Sequence, residues 1–183
     1  MPWRVMAGLG AHFGRESTLD VRGFAGFVVS EDRVGRGFRR FVALGAVGGV
    51  GAASIADARA VDGHVSAWRN FIGAELRLGD AWVEEQAKRP VDLYLALAGM
   101  RIFSSQISQR LPEAGGAFGL RVAAGLAIPR SWPATDQVFA PGSCDGGTCG
   151  IGLLLLLLPN TLELGYERAA SANRAGLVIG YTL

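Results

Sequence analysis

His64, Ser66 and Glu75 are the residues whose types come closest to a catalytic set. A serine nucleophile needs a histidine base within hydrogen-bond reach, and the base needs a carboxylate to orient it. On an extended strand alternate residues share a face, so His64 and Ser66 lie together. Glu75 has the other parity and falls on the opposite face, so the three do not converge unless a bulge intervenes. His64 therefore reads as an ordinary turn histidine. Gly49-Val50-Gly51-Ala52-Ala53-Ser54 follows an apolar run, as a dinucleotide-binding loop would. That chemistry needs a helix next, in a βαβ unit. The continuation IADARAVDGHV has little helical periodicity, and a glycine-lined strand that leaves room for large neighbouring side chains fits better.

Cys144 and Cys149 are the only two cysteines and sit in the stretch PGSCDGGTCG. Their spacing suits a disulfide closing a short loop, which needs an oxidising compartment. A zinc site would need further Cys or His close by, and there are none. No metal and no cofactor is expected. The net charge of +2 gives no case for nucleic acid.

The remaining titratable residues depend on the elements that carry them. Half of the residues are hydrophobic, 19% are charged and 27 are glycine, with a mean hydropathy of +0.28. The longest uncharged stretch, Phe41 to Ala56, is too short and too rich in glycine for a spanning helix, which needs about 20 apolar residues. Alternation with a period of two is the main signal. It is clearest in Leu162-Glu163-Leu164-Gly165-Tyr166-Glu167 and in Leu177-Val178-Ile179-Gly180-Tyr181-Thr182-Leu183. It recurs near the start, around Trp68–Leu78, around Leu93–Ala98 and over Phe118–Ile128. The predicted strands are 3–13, 18–30, 38–54, 65–79, 91–103, 117–129, 150–158, 161–168 and 175–183. The all-apolar run Leu153–Leu158 shows no period of its own.

Many of these strands have the 9–11 residues that a tilted membrane strand needs, or a few more. Residues 14–17 and 159–160 read as tight turns. Residues 30–37, 80–90, 130–150 and 169–174 read as longer, polar loops. Connections 55–64 and 104–116 belong to the short side of this scheme and are too long for it. Nine strands is an odd count, whereas single-chain bacterial barrels have even ones. Either one strand is missing at the N-terminus, making ten, or the barrel has eight. The opening MPWRVMAGLGAHFGRE does not have the layout of a secretory signal, as a chain lacking its first segment would not.

The closing stretch TLELGYERAASANRAGLVIGYTL resembles the final hairpin of small bacterial outer-membrane β-barrel proteins. Leu177, Ile179, Tyr181 and Leu183 match the alternating apolar or aromatic positions of the last strand. The usual terminal residue there is Phe or Trp, and here it is Leu. The resemblance implies an all-β, closed, antiparallel up-and-down transmembrane barrel of 8–10 strands, forming one domain over 1–183. It implies the bacterial outer membrane as location, outer-membrane lipid and the barrel assembly machinery as partners, long loops outside and both termini in the periplasm. The Cys144–Cys149 loop would then be the longest external one.

In such a barrel an Arg or Lys facing lipid at the midplane costs about 2–4 kcal/mol, so the charges belong inside. Asp20, Arg22, Arg69, Glu75, Arg77, Arg121, Glu163 and Glu167 all fall on the polar face and carry both signs. They are expected to pair as a plug in a lumen narrow enough for side chains to fill. Trp82 and Trp132 fall near the loop-side strand ends, as interfacial tryptophans do. The expected protein is structural, adhesive or a minor pore, and not an enzyme. The alternatives are a soluble lipocalin-like barrel for a lipophilic ligand, with its apolar face inward, and an outer-membrane lipid hydrolase.

Overall fold

The computed structural model describes residues 3–14, 16–35, 37–56, 63–82, 91–106, 117–128, 159–169 and 172–182. They form eight strands: β1 (Trp3–Gly14), β2 (Glu16–Gly35), β3 (Phe38–Ala56), β4 (His64–Trp82), β5 (Val91–Gln106), β6 (Ala117–Ala127), β7 (Thr161–Ala169) and β8 (Ala172–Thr182). Each strand pairs antiparallel with the next, and β8 closes on β1. Closure leaves no sheet edge along the paired wall.

The eight-stranded closure decides the count. β6 pairs directly with β7, from Gly119–Ala169 to Ala127–Thr161. The predicted strand 150–158 lies outside the described residues, and the barrel closes without it. No tenth strand is needed, because β1 already pairs with β8. Even parity also regroups the connections. Those at 36–37, 83–90 and between Ile128 and Pro159 stand at the end that holds both chain termini. Those at residue 15, 57–62, 107–116 and 170–171 stand at the far end. Long and short connections are thus mixed at each end, contrary to the expected segregation. The connection carrying Cys144 and Cys149 springs from the terminus end, not from the opposite one. The cysteines themselves, and Trp132, lie outside the described residues.

The register fixes the shape. Following partners from Trp3 through Phe27, Leu44, Leu76, Leu97, Val122, Tyr166 and Ala175 returns to β1 at Phe13, ten residues beyond Trp3. With a rise of about 3.3 Å per residue and strands about 4.8 Å apart, a shear of ten over eight strands tilts them by about 40°. At that tilt Trp3 and Phe13 are about 25 Å apart along the axis.

Two local features shape the terminus end. β2 has 20 residues and β3 has 19, and their hairpin runs past the last β1–β2 pair, Trp3–Phe27. Residues 29–35 are exposed on both faces, and the hairpin turns at Gly37, whose φ of 83° favours glycine. Asn160, read from sequence as part of a turn, is a clamp instead. Its Nδ2 donates to the carbonyls of Ile128 (3.0 Å) and Thr182 (2.9 Å), and its Oδ1 accepts from the Thr182 amide (2.7 Å). The ends of β6, β7 and β8 are tied together there, whatever the length of the connection that leaves them.

Candidate functional site: the lumen and the outer wall

Strand alternation sends one set of side chains inward and the other outward, and the two sets differ in kind. Outside are Leu9, Val21, Val50, Ile72, Leu95, Leu120, Leu164 and Ile179, all exposed. In β8, Ile179 and Tyr181 face out, while Val178, Gly180 and Thr182 are buried. Aromatic residues mark both limits of this apolar wall. Trp3 and Phe27 meet edge-on at 6.2 Å at the terminus end, beside a stacked pair, Phe38 and Trp82, at 6.4 Å. Phe13, Trp68, Phe103 and Phe118 are exposed around the far end. Trp82 belongs to the terminus-end ring, not to the end that the odd strand count assigns it.

All eight predicted charges, Asp20, Arg22, Arg69, Glu75, Arg77, Arg121, Glu163 and Glu167, are buried in the lumen. The structure adds Arg4, His12, Asp92, Arg174 and Tyr94 to the lumen. They assemble in layers. At mid-height Glu75, Arg77, Arg121 and Glu163 form a quartet in which each arginine faces both carboxylates. Arg77 Nε donates to Glu75 Oε1 at 2.7 Å, and Arg77 Nη2 lies 3.2 Å from Glu163 Oε1. Arg121 donates to Glu75 Oε2 at 3.2 Å and also to Glu163. The Tyr94 hydroxyl donates to Glu163 Oε1 at 2.6 Å. Arg77 is also stacked 3.9 Å from the Phe24 ring centroid and 4.7 Å from that of Tyr94, where the ring faces attract a cation.

Toward the far end, Arg22 holds Asp20 with two hydrogen bonds of 2.8 and 3.0 Å. Its Nη2 lies 2.6 Å from His12 Nε2, and Arg69 pairs with Glu167. Toward the terminus end Arg4 pairs with Asp92. The quartet is the tighter layer. Of its fully buried side-chain polar atoms only Arg121 Nε lacks a hydrogen-bond partner among the described residues. Beyond it, Arg22 Nη1, Arg69 Nε and Nη1, and Glu167 Oε2 all lack one.

Glycines make room for this packing. A Cβ on Gly125 would stand 2.3 Å from Tyr94 Cζ, so the Tyr94 ring occupies the space that a side chain would take. Gly49 does the same for Phe71, whose Cζ would be 2.5 Å from such a Cβ. The glycine-lined strand of the sequence reading is therefore β3. Gly125→Val should expel Tyr94, break its bond to Glu163 and destabilise the barrel by about 1–3 kcal/mol. An unchanged unfolding midpoint in a denaturant titration would contradict this.

The hydrolase set does not assemble. Ser66 is exposed on the outer wall and Glu75 is buried in the lumen, so the barrel wall separates them. The side chain of His64 lies outside the described residues. A lipocalin-like arrangement is reversed here, because the paired charges are inside, with a few apolar side chains such as Phe24 and Phe71, and most of the large apolar side chains are outside.

No protein-family model matches the chain. No curated protein matches it either. Among solved structures the chain is similar to Ail, the attachment invasion locus protein of Yersinia pestis, at 9% identity with a TM-score of 0.33, over 99% of this chain and 96% of that one.

Proposed function

We propose that this chain is an integral β-barrel of a bacterial outer membrane with a lumen closed by paired charges: a structural element that carries its end connections, and not a pore. The carrying observation is the inside-out distribution of side chains. Water-filled surroundings would leave the apolar wall uncovered and the guanidinium groups buried. Hydrocarbon reverses both penalties, since the exposed wall is then solvated by lipid and the charges avoid it. The roughly 25 Å between the two aromatic rings equals the height of the apolar band of such barrels.

The plug follows from scale. An eight-stranded barrel leaves an interior just wide enough for side chains to fill, and here arginines and carboxylates fill it in pairs. With the termini in the periplasm, the β2–β3 projection and the connection bearing the cysteines stand on the periplasmic side. The assembly machinery would engage β8, whose outward register is apolar.

Two measurements test the reading. Expressed protein should fractionate with outer membranes and leave them only in detergent; recovery in the aqueous fraction would refute the location. In a planar bilayer the wild-type barrel should pass no steady current. Steady conductance would refute the plug and leave the membrane assignment standing.

A further inference from the structure

The outer wall carries very few charges, and they differ in how they are balanced. At the terminus end Arg40 and Asp80 pair with each other at 3.2 Å. Near the far end Arg101 and Arg168 also point outward and are exposed. Neither forms an ion pair or hydrogen bond with any described residue. They stand on β5 and β7, on either side of β6. Arg101 is opposite Phe118, and Arg168 is opposite Leu120 and Asn173. With strands about 4.8 Å apart and a rise of about 3.3 Å, their Cα atoms are roughly 12 Å apart. Phe103 and Phe118 of the far aromatic ring sit beside them, so both arginines lie just on the bilayer side of that ring.

Two unpaired cations on an apolar surface call for an explanation, because among the described residues every other arginine inside the membrane band either has a carboxylate partner or lies in the lumen. Long arginine stems can lie along apolar surface and lift their guanidinium groups to the interface. Headgroup phosphates lie at that depth, and the guanidinium fork matches a phosphate with two parallel N–H donors. We propose that Arg101 and Arg168, with Phe118 between them, form a seat on the outer wall for the anionic phosphate headgroup of a membrane lipid. The inference rests on the reading of the chain as a membrane barrel.

The test uses the full chain, wild type and Arg101→Gln/Arg168→Gln, refolded first into phosphatidylcholine vesicles. Both proteins should insert, as judged by resistance to unfolding in cold detergent. Lipid retention is then read by native mass spectrometry in a neutral detergent, titrating phosphatidylglycerol against phosphatidylcholine. The wild type should retain phosphatidylglycerol about tenfold more tightly, and the double variant should bring the two lipids within about twofold. Asp80→Asn, which disturbs the compensated pair at the other end, should keep the wild-type preference. A double variant with the wild-type preference would overturn the seat while leaving the barrel reading intact. So would complete competition by millimolar inorganic phosphate, which would make the occupant a free anion. A wild type that fails to enter the vesicles would overturn the membrane reading itself.

Discussion

Glu163→Ala should be among the most damaging single substitutions in this barrel, with an expected loss of about 3–5 kcal/mol. The carboxylate is fully buried and is shared by Arg77, Arg121 and the Tyr94 hydroxyl. Without it, two buried guanidinium groups are left with Glu75 alone, and a buried charge that loses its partner costs far more than the pair contributes while intact. The barrel has two ways to respond. It can lose stability, read as a lower midpoint in denaturant, or it can admit water to the mid-height layer, read as a current across a planar bilayer. Glu163→Gln keeps the volume and an acceptor for Tyr94 but removes the charge, so it should recover only a minor part of the loss. A Glu163→Ala barrel with the wild-type midpoint and no current would show that the quartet is not the seal.

The neighbouring residue tests the opposite face of the same strand. Leu164 is 62% exposed at the middle of the apolar wall. If that wall meets hydrocarbon, Leu164→Arg should cost about 2–4 kcal/mol and sharply reduce insertion into vesicles. If it met water, the same change should fall within about 0.5 kcal/mol, like other exposed substitutions. Val34 is a matched control at 55% exposure, on the β2 extension beyond the wall. Val34→Arg should insert like the wild type. Equal tolerance of both changes would remove the basis for placing the barrel in a bilayer.

Much of the architecture was legible because period-two alternation reports which face each residue occupies. Glu163 and Glu167 could be assigned inward from β7 alone, and the same parity brought in Arg69, Glu75 and Arg77 from β4. The parity failed where side chains could not express it. Leu153–Leu158 is apolar on every position, so it read as a ninth strand and shifted the assignment of ends. Arg174 was left in a loop because the glycine- and alanine-rich start of β8 carries little contrast. His12 and Asp92 fall within the strands predicted over 3–13 and 91–103 and have their inward parity, but each stands near a strand end, and parity alone does not give it a partner. Arg4 also has that parity, yet nothing local marks its partner. Which charges meet depends on the shear, a property of closure that no single strand encodes. Nor does any local signal mark Asn160 as a clamp, since its partners Ile128 and Thr182 belong to two other strands.

Arg22–Asp20 and Arg77–Glu75 are pairs within one strand, but other lumen pairs join positions far apart along the chain. Arg69 and Glu167 are separated by 98 residues, Arg4 and Asp92 by 88, and Arg121 and Glu75 by 46. Such contacts form only after long loops have closed, which makes them late and slow in folding. Until β8 meets β1, a growing sheet presents on one face arginines and carboxylates whose cross-lumen partners are missing. If the barrel resides in a bilayer, as proposed, hydrocarbon opposes taking up that face, and a half-built sheet has no favourable resting place there. Insertion and ring closure must therefore advance together, and the ion pairs act as a latch on the order of events. The kinetic signature is a single concerted phase, in which heat resistance and lipid protection of the outer wall appear at the same rate.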